Sequence, residues 1–396
     1  MGIAKVNILF LLIFAGIGII CWRTTANPTP VPSKTSSTKE PQKNVSSVVN
    51  LNNSELVSAH TRLQIEQILE VLGKSDSKVL TQTQMDSSDE AVLVLGETGI
   101  GKSSLIQFLI GNPELHSNKA ENSHYTISMR KKSQFYVIND DGEKIGSAGN
   151  YSFTQFPEII NFNGTNFIDT PGFYGSKSAA DEIISMTALK KIINKFKKVK
   201  ILLLVDTRGV PFFITDNLMN TLKHIDEFID IDRFLDHIAL IFTKVPFAYR
   251  TVTMEVGKIK SESNFSADYM VKNYMTNELY KIELKLTDNL KSEKLGEQEK
   301  KFYPKVIKFL QSLNVSVNSE ENIIRMNPKM NLDVFQHPDK LGLLNNMSFF
   351  DSNRESLYQT INDLEPLGIR QQDFKFTLST EAESLSECMK YVLSED

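Results

Sequence analysis

The feature that most constrains the fold is a glycine-rich loop between an apolar run and a helical pattern. Residues 96–103 read Gly-x-x-x-x-Gly-Lys-Ser and directly follow the apolar run Ala91–Leu95. The apolar segment Leu105–Ile110 then continues in a helical pattern. A loop placed between a buried strand and a helix start turns its backbone N–H groups towards an anionic phosphate. The sequence therefore predicts a phosphate-binding loop in an α/β fold.

Two side chains of this loop are expected to contact a nucleotide and its metal. Lys102 would reach the β- and γ-phosphates, and the Ser103 hydroxyl would ligate Mg²⁺. A second Gly-Lys-Ser sequence, residues 73–75, has Ile68 where the upstream glycine is needed and is interpreted as a loop. The predicted nucleotide-binding residues of the first loop are Gly96, Glu97, Thr98, Gly99, Ile100, Gly101, Lys102, Ser103 and Ser104.

A second motif lies downstream, where an apolar run ends in Asp-Thr-Pro-Gly within Asn166–Phe173. In phosphate-loop proteins, an aspartate at a strand end orients Mg²⁺ and a nearby glycine N–H senses the γ-phosphate. We assign these roles to Asp169 and Gly172. Thr154, with Ser152 as the alternative, is the hydroxyl expected to close on the metal. The predicted catalytic residues are Thr154 and Gly172, and the predicted metal ligands are Ser103, Thr154 and Asp169.

From Ala91 onward, strand-like runs alternate with helical patterns, which predicts a mostly parallel sheet with helices on both faces. A hairpin around the turn Asn139–Gly142 is expected to form an antiparallel edge. The predicted strands are Ala91–Leu95, Asn166–Ile168, Ile201–Val205, His237–Phe242 and Asn322–Arg325. The predicted helices are Lys102–Ile110, Ala179–Phe196, Thr215–Phe234 and Arg354–Ile361.

The composition excludes several classes of protein. The chain of 396 residues is 41% hydrophobic and 23% charged, as expected for a globular protein. Its net charge of -4 shows no basic excess, so nucleic acid is not expected as a partner. The two cysteines, Cys21 and Cys388, form no disulfide framework, which favours a reducing compartment. The six histidines lack the spacing of metal ligands.

The N-terminal segment, residues 1–22, contains the almost unbroken apolar run Val6–Trp22. Its length is at the short limit for a transmembrane anchor but exceeds the usual core of a signal peptide. Basic residues after the run favour an anchor that leaves the rest of the chain in the cytosol. Small residues ending at Ala26 leave open the alternative of cleavage and secretion. These basic residues are Arg23, Lys34, Lys39 and Lys43.

Together, residues 96–104 and 169–173 resemble the septin-like and immunity-associated branch of the translation-factor-related GTPases. The resemblance covers residues 88–245. It implies a guanine-nucleotide-binding domain (G domain) with a Ras-like sheet, and GTP or GDP with Mg²⁺ as ligands. It also implies nucleotide-dependent homodimers or membrane-associated assemblies.

The resemblance extends to the base-binding motif, with one departure there and another at the catalytic position. Thr243 and Lys244 match the base-binding motif, but Pro246 stands where the family has the aspartate that reads guanine. Phe173 stands where Ras-like enzymes have a glutamine that orients the attacking water. The resemblance favours GTP over ATP as the ligand. Without the aspartate, the selectivity for GTP is expected to be weaker. Hydrolysis is expected to be slow unless a second protomer or a partner completes the site.

The predicted organisation follows from these segments. Residues 23–53 form a disordered linker, residues 54–73 an amphipathic helix, residues 88–362 the G domain, and residues 363–396 a C-terminal extension. Residues 247–313 form a helical insertion in the G domain, which would serve as a lid or docking arm or would extend the core. Three functions remain open: a membrane-tethered GTP switch with slow hydrolysis, a septin-like scaffold with structural nucleotide, and an ATP-using enzyme.

Overall fold

A mixed sheet of seven strands lies at the centre of the protein. The computed structural model describes residues 59–83, 89–119, 136–140, 145, 154, 156–172, 178–207, 214–245, 249–255, 258–265, 268–292, 295–313, 315–318, 323–326, 330–338 and 340–395. All of them lie in one unit, Leu56–Asp396.

The strands of the described residues are β1 (Glu90–Leu95), β2 (His116–Lys119), β3 (Tyr136–Asn139), β4 (Glu158–Phe162), β5 (Thr165–Asp169), β6 (Lys198–Asp206), β7 (Ile238–Val245), β8 (Tyr249–Glu255), β9 (Lys258–Phe265), β10 (Val315–Asn318), β11 (Ile323–Met326), β12 (Leu332–Gln336), β13 (Gly342–Leu343) and β14 (Leu367–Gly368). The α-helices are α1 (Ala59–Thr83), α2 (Lys102–Leu109), α3 (Ala179–Ile193), α4 (Ile214–Phe228), α5 (Ile231–Phe234), α6 (Asp268–Asn289), α7 (Glu297–Ser312), α8 (Phe349–Asp363) and α9 (Thr380–Glu395).

The central sheet has the order β12-β7-β6-β1-β5-β4, with β14 beside β6. Strand β1 runs parallel to β5 and β6, β6 runs parallel to β7, and β7 runs parallel to β12. Strands β4 and β14 are antiparallel to β5 and β6. The prediction of an α/β fold with a mostly parallel sheet is therefore confirmed.

Both faces of the sheet are covered, which explains why the central strands β1, β6 and β7 are mostly apolar. Leu93 and Phe309 belong to the core between the sheet and helices α3, α4, α6 and α7. Val94, Phe108 and Leu357 belong to the core on the opposite face, with helices α2 and α8. Because successive strand residues point to opposite faces, a strand buried on both sides shows no polar alternation.

Several predicted elements occupy different places from those expected. The segment Tyr136–Asn139 pairs with β2 in a separate small sheet, and Ile145 is in no strand, so this segment is not the predicted antiparallel edge of the central sheet. Residues 141–144 of the predicted hairpin lie outside the described residues. The segment Asn322–Arg325 overlaps β11, which pairs with β10 outside the central sheet. The predicted helix Thr215–Phe234 is divided into α4 and α5. Residues 73–75 lie inside α1, so the loop interpretation of that sequence is wrong.

The two helices of the insertion extend the core. Met275, Leu279 and Ile282 of α6 are buried in the same core as β6 and β7, as are Phe309 and Leu310 of α7. Burial of these apolar faces in the main core favours core extension over a lid. The hairpin of β8 and β9 precedes the two helices.

The first and last of the described helices, α1 and α9, pack on α3, the helix that follows the Asp-Thr-Pro-Gly turn. Ile68 of α1, Ile183 of α3 and Ala382 of α9 share a small apolar cluster. The Glu182 carboxylate on α3 accepts hydrogen bonds from the backbone N–H and the hydroxyl of Ser379, at 2.6 and 2.8 Å. Both helices are thus docked on α3.

None of the helices in the described ranges is long and apolar enough to cross a membrane. The segment Val6–Trp22 and the linker 23–53 lie outside the described residues, so the anchor and linker remain predictions.

Candidate functional site

The glycine-rich loop lies between β1 and α2, as the sequence predicts. Gly96 has a φ of 152°, and a Cβ added there would lie 2.9 Å from the Leu204 carbonyl oxygen on β6. A side chain at this position would therefore collide with the neighbouring strand. Gly99 and Gly101 also have positive φ angles, of 71° and 105°, so the loop turns sharply into the start of α2. A loop of this kind at a helix start presents N–H groups to an anion.

The other residues of the loop differ in their exposure to solvent. Ile100 is buried beneath the loop and anchors it to the core of α2 and α8. The remaining residues are partly or fully exposed; they are Glu97, Thr98, Gly99, Gly101, Ser103 and Ser104. This is the arrangement that a ligand approaching from solvent requires.

Lys102 is the buried cation of the loop, and only 6% of its surface is exposed. Its ammonium donates hydrogen bonds to the carbonyl oxygens of Gly96 and Glu97, each at 3.1 Å. Burial lowers the pKa of Lys102 to about 8, against the attraction of Asp169 and Glu97. The ammonium is therefore held over the loop by backbone oxygens, with an energetic cost that an anionic ligand would relieve.

Three oxygen-bearing side chains converge beside Lys102. The Ser103 hydroxyl donates to Asp169 Oδ2 at 2.6 Å and lies 3.1 Å from Thr154 Oγ1. Thr154 Oγ1 in turn lies 3.3 Å from Asp169 Oδ2. The three predicted metal ligands are thus brought together, although 51 residues separate Ser103 from Thr154 along the chain.

These oxygens fit a magnesium ion. Asp169 Oδ1 is buried and has no hydrogen-bond partner among the described residues. Burial raises the pKa of Asp169, and the hydrogen bond from Ser103 opposes that shift. A buried carboxylate oxygen without a donor, beside two hydroxyls, matches the oxygen ligands that Mg²⁺ prefers. In the described part of the chain, no group of three His, Cys, Asp or Glu side chains offers an alternative metal site.

The turn after β5 is pressed against the glycine-rich loop. A Cβ on Gly172 would lie 2.6 Å from the Thr98 backbone nitrogen, so only glycine fits this approach. The Thr170 hydroxyl donates to the Val94 carbonyl oxygen at 2.6 Å, which ties the same turn to β1. Gly172 therefore lies next to the loop that would hold the phosphates, where its N–H can respond to them.

The predicted base-binding residues lie at the end of β7. The Thr243 hydroxyl donates to the Ile100 carbonyl oxygen at 2.8 Å, which links this strand end to the glycine-rich loop. Lys244 has a φ of 55°, and its ammonium lies 2.7 Å from Asp206 Oδ2. Sequence reasoning missed Asp206, although its position at the end of a parallel strand next to β7 was a usable signal.

Phe173, Pro246 and Ser152 lie outside the described residues. The expectations that rest on them, a missing water-orienting amide and a missing guanine carboxylate, stay predictions.

The sheet order, the glycine-rich loop and the strand-end aspartate define a phosphate-loop nucleotide-binding domain. Residues 91–244 match the family model described as 50S ribosome-binding GTPase. A comparison with curated proteins found no match. The family match supports a P-loop GTPase G domain in this part of the chain, which implies guanine-nucleotide binding and typically Mg²⁺. The septin-like or immunity-associated branch stays a prediction.

The lowered pKa of Lys102 predicts that nucleotide affinity falls at alkaline pH. Above a pKa of about 8 the ligand-free protein loses the lysine proton, whereas bound phosphates restore it. The affinity for GTP should therefore fall by about tenfold for each pH unit above this value. Calorimetry at pH 9 in two buffers of different ionisation enthalpy should also detect uptake of a proton on binding. A constant affinity without proton uptake would contradict the assignment of Lys102.

Proposed function

We propose that this protein is a GTP-binding switch with slow hydrolysis that a second protomer or a partner accelerates. The observation that carries the proposal is the convergence of Ser103, Thr154 and Asp169 beside the Lys102 ammonium. The lysine would bind the β- and γ-phosphates, and the three oxygens would hold Mg²⁺. Bound Mg²⁺ would neutralise phosphate charge.

The switch part of the proposal is supported by the contacts of Gly172 and by those of α3, which follows it in the sequence. Gly172 touches the glycine-rich loop, and α3 carries the docked helices α1 and α9. Gly172 is packed against Thr98, so a γ-phosphate bound beside Thr98 would also be close to Gly172. A change at the phosphate would therefore reach α3 through a short segment.

The residue at position 173, a phenylalanine, supports the proposal that hydrolysis is slow and that another molecule accelerates it. A phenyl ring cannot accept or donate the hydrogen bonds that orient an attacking water. A group from another molecule would then be needed for efficient hydrolysis. The same reasoning at Pro246 supports weak selectivity for GTP over ATP, which competition of the two for one labelled nucleotide would measure.

The rate of hydrolysis at increasing protein concentration tests this function. Dilute full-length protein should hydrolyse bound GTP slowly in a single turnover, and the rate should rise with concentration if a second protomer completes the site. A nucleotide that stays bound without turnover in polymerising protein would instead favour the septin-like scaffold. A fast rate that does not depend on concentration would contradict the role assigned to Phe173.

The membrane tether is a separate part of the proposal and is supported by the apolar run Val6–Trp22 and the basic residues after it. Retention of the full chain in membranes after carbonate washing tests it, and a mature N-terminus near Ala26 on secreted protein would contradict it.

A further inference from the structure

The carboxyl ends of the parallel strands β6 and β7 lie side by side, and a hydrogen bond from Thr243 to Ile100 links them to the glycine-rich loop. Asp206, the last residue of β6, pairs in register with Thr243 of β7. Strand β12 pairs with Thr243 and then with Val245, so Lys244 is passed over in the ladder. With its φ of 55°, Lys244 is displaced from regular strand geometry, and its ammonium contacts Asp206 instead.

Hydrogen bonds from Thr207, the residue after β6, hold the two strand ends together. Its backbone N–H donates to the Thr243 carbonyl oxygen at 3.2 Å. Its hydroxyl lies 3.2 Å from both the Thr243 and the Lys244 carbonyl oxygens. Because Thr243 also donates to Ile100, the backbone of Lys244 is held at a set distance from the phosphate loop.

Asp206 is more deeply buried than Lys244, its partner in the ion pair. The Asp206 side chain is 10% exposed, whereas that of Lys244 is 33% exposed. A nearly buried carboxylate is costly unless a cation compensates it, so the Asp206 carboxylate favours the anchored position of the lysine. About a third of the Lys244 side chain therefore stays exposed while its ammonium is held by Asp206.

We propose that Asp206 is a positioning residue of the base site, which anchors the Lys244 ammonium so that the lysine stem forms one wall for the purine. This inference rests on the proposed function, because it needs a purine nucleotide on the phosphate loop. A free lysine side chain loses rotamer entropy when it is ordered against a ligand. Anchoring before binding removes part of that cost from nucleotide binding. Since Pro246 cannot read the base, the wall formed by Lys244 carries a larger share of base binding.

The test compares GTP with inorganic triphosphate, which occupies the phosphate loop but has no base. Asp206→Ala in the full chain should weaken GTP binding by about tenfold, because Lys244 loses its anchor. The same variant should bind triphosphate within about twofold of the wild type. Asp206→Glu, which restores the carboxylate on a longer stem, should recover part of the GTP affinity. Asp206→Asn keeps the shape of the side chain but removes its charge. It should also weaken GTP binding more than triphosphate binding, by less than Asp206→Ala does.

Asp226→Ala is the matched control. The Asp226 carboxylate also accepts lysine hydrogen bonds, from Lys305 at 2.7 Å, but it lies between α4 and α7. This variant should leave both affinities unchanged.

Two outcomes would overturn the inference: an unchanged GTP affinity in Asp206→Ala, or an equal loss for GTP and triphosphate, which would mean general damage to the site. A wild-type protein that binds triphosphate but not GTP would overturn the proposed function itself, and the role of Asp206 with it.

Discussion

Replacing Lys102 by alanine is expected to lower the affinity for Mg-GTP by about a hundredfold or more. Hydrogen bonds to charged groups contribute about 1.5–3 kcal/mol each, and the ammonium would make them to two phosphates. The folded state should survive, because the variant also removes the cost of burying a lysine that is 6% exposed. Titration with a fluorescent GTP analogue measures the loss.

Lys74→Ala is the control for this variant, since Lys74 stands in the second Gly-Lys-Ser sequence, inside α1. It removes the same charge outside the predicted site and should bind GTP normally. Equal affinities for the Lys102 variant and the wild type would refute the phosphate-loop assignment.

The second large effect is expected for Asp169→Asn, which should abolish the contribution of Mg²⁺ to GTP binding. Asp169 Oδ1, which accepts no hydrogen bond from any described residue, and the Ser103 hydroxyl are the oxygens best placed for the ion. The variant in excess Mg²⁺ should bind GTP about as weakly as the wild type in EDTA, a loss of about 10- to 100-fold. Ser103→Ala should change affinity in the same direction by a smaller amount, because it removes a neutral ligand.

Glu158→Gln provides the matched control for Asp169. Glu158 is exposed and is the register partner of Asp169 on β4, so the substitution removes the same charge from the next strand. Its GTP affinity should keep the full dependence on Mg²⁺. A Mg²⁺ dependence that persists in Asp169→Asn would remove Asp169 from the proposed metal site.

Errors in the sequence-based prediction have identifiable physical causes. Strand β2 reads His-Ser-Asn-Lys and has no apolar alternation, so the partner of Tyr136–Asn139 could not be recognised. Strand β12 was missed because it contains Asp333, a charged residue that is fully buried. Lys272 of α6 forms an ion pair with Asp333 at 2.8 Å, and Ser356 and Thr360 of α8 donate to it. These partners come from distant segments, and a local pattern does not contain them.

The buried face of helix α1 is a second feature that a local sequence pattern does not determine. Helical spacing places Leu63, Ile68 and Leu69 of α1 on one predicted apolar face. Ile68 is buried as predicted, but Leu63 and Leu69 are exposed, at 52% and 37%, and Ile65 is buried although the spacing does not include it. Helical spacing predicts that a helix is amphipathic, but the neighbouring helices α3 and α9 decide which stripe is covered.

The sequence by itself determined the glycine-rich loop, because its strand, its turn and its helix are consecutive and their signals are local. Only the tertiary structure decided which distant side chains join that loop. Asp169 lies 66 residues from Ser103 and reaches it because β5 pairs with β1. Asp206 reaches Lys244 because β6 pairs with β7. Parallel strands bring their carboxyl ends to one edge of the sheet whatever the length of chain between them, so sheet pairing determines which side chains form the site.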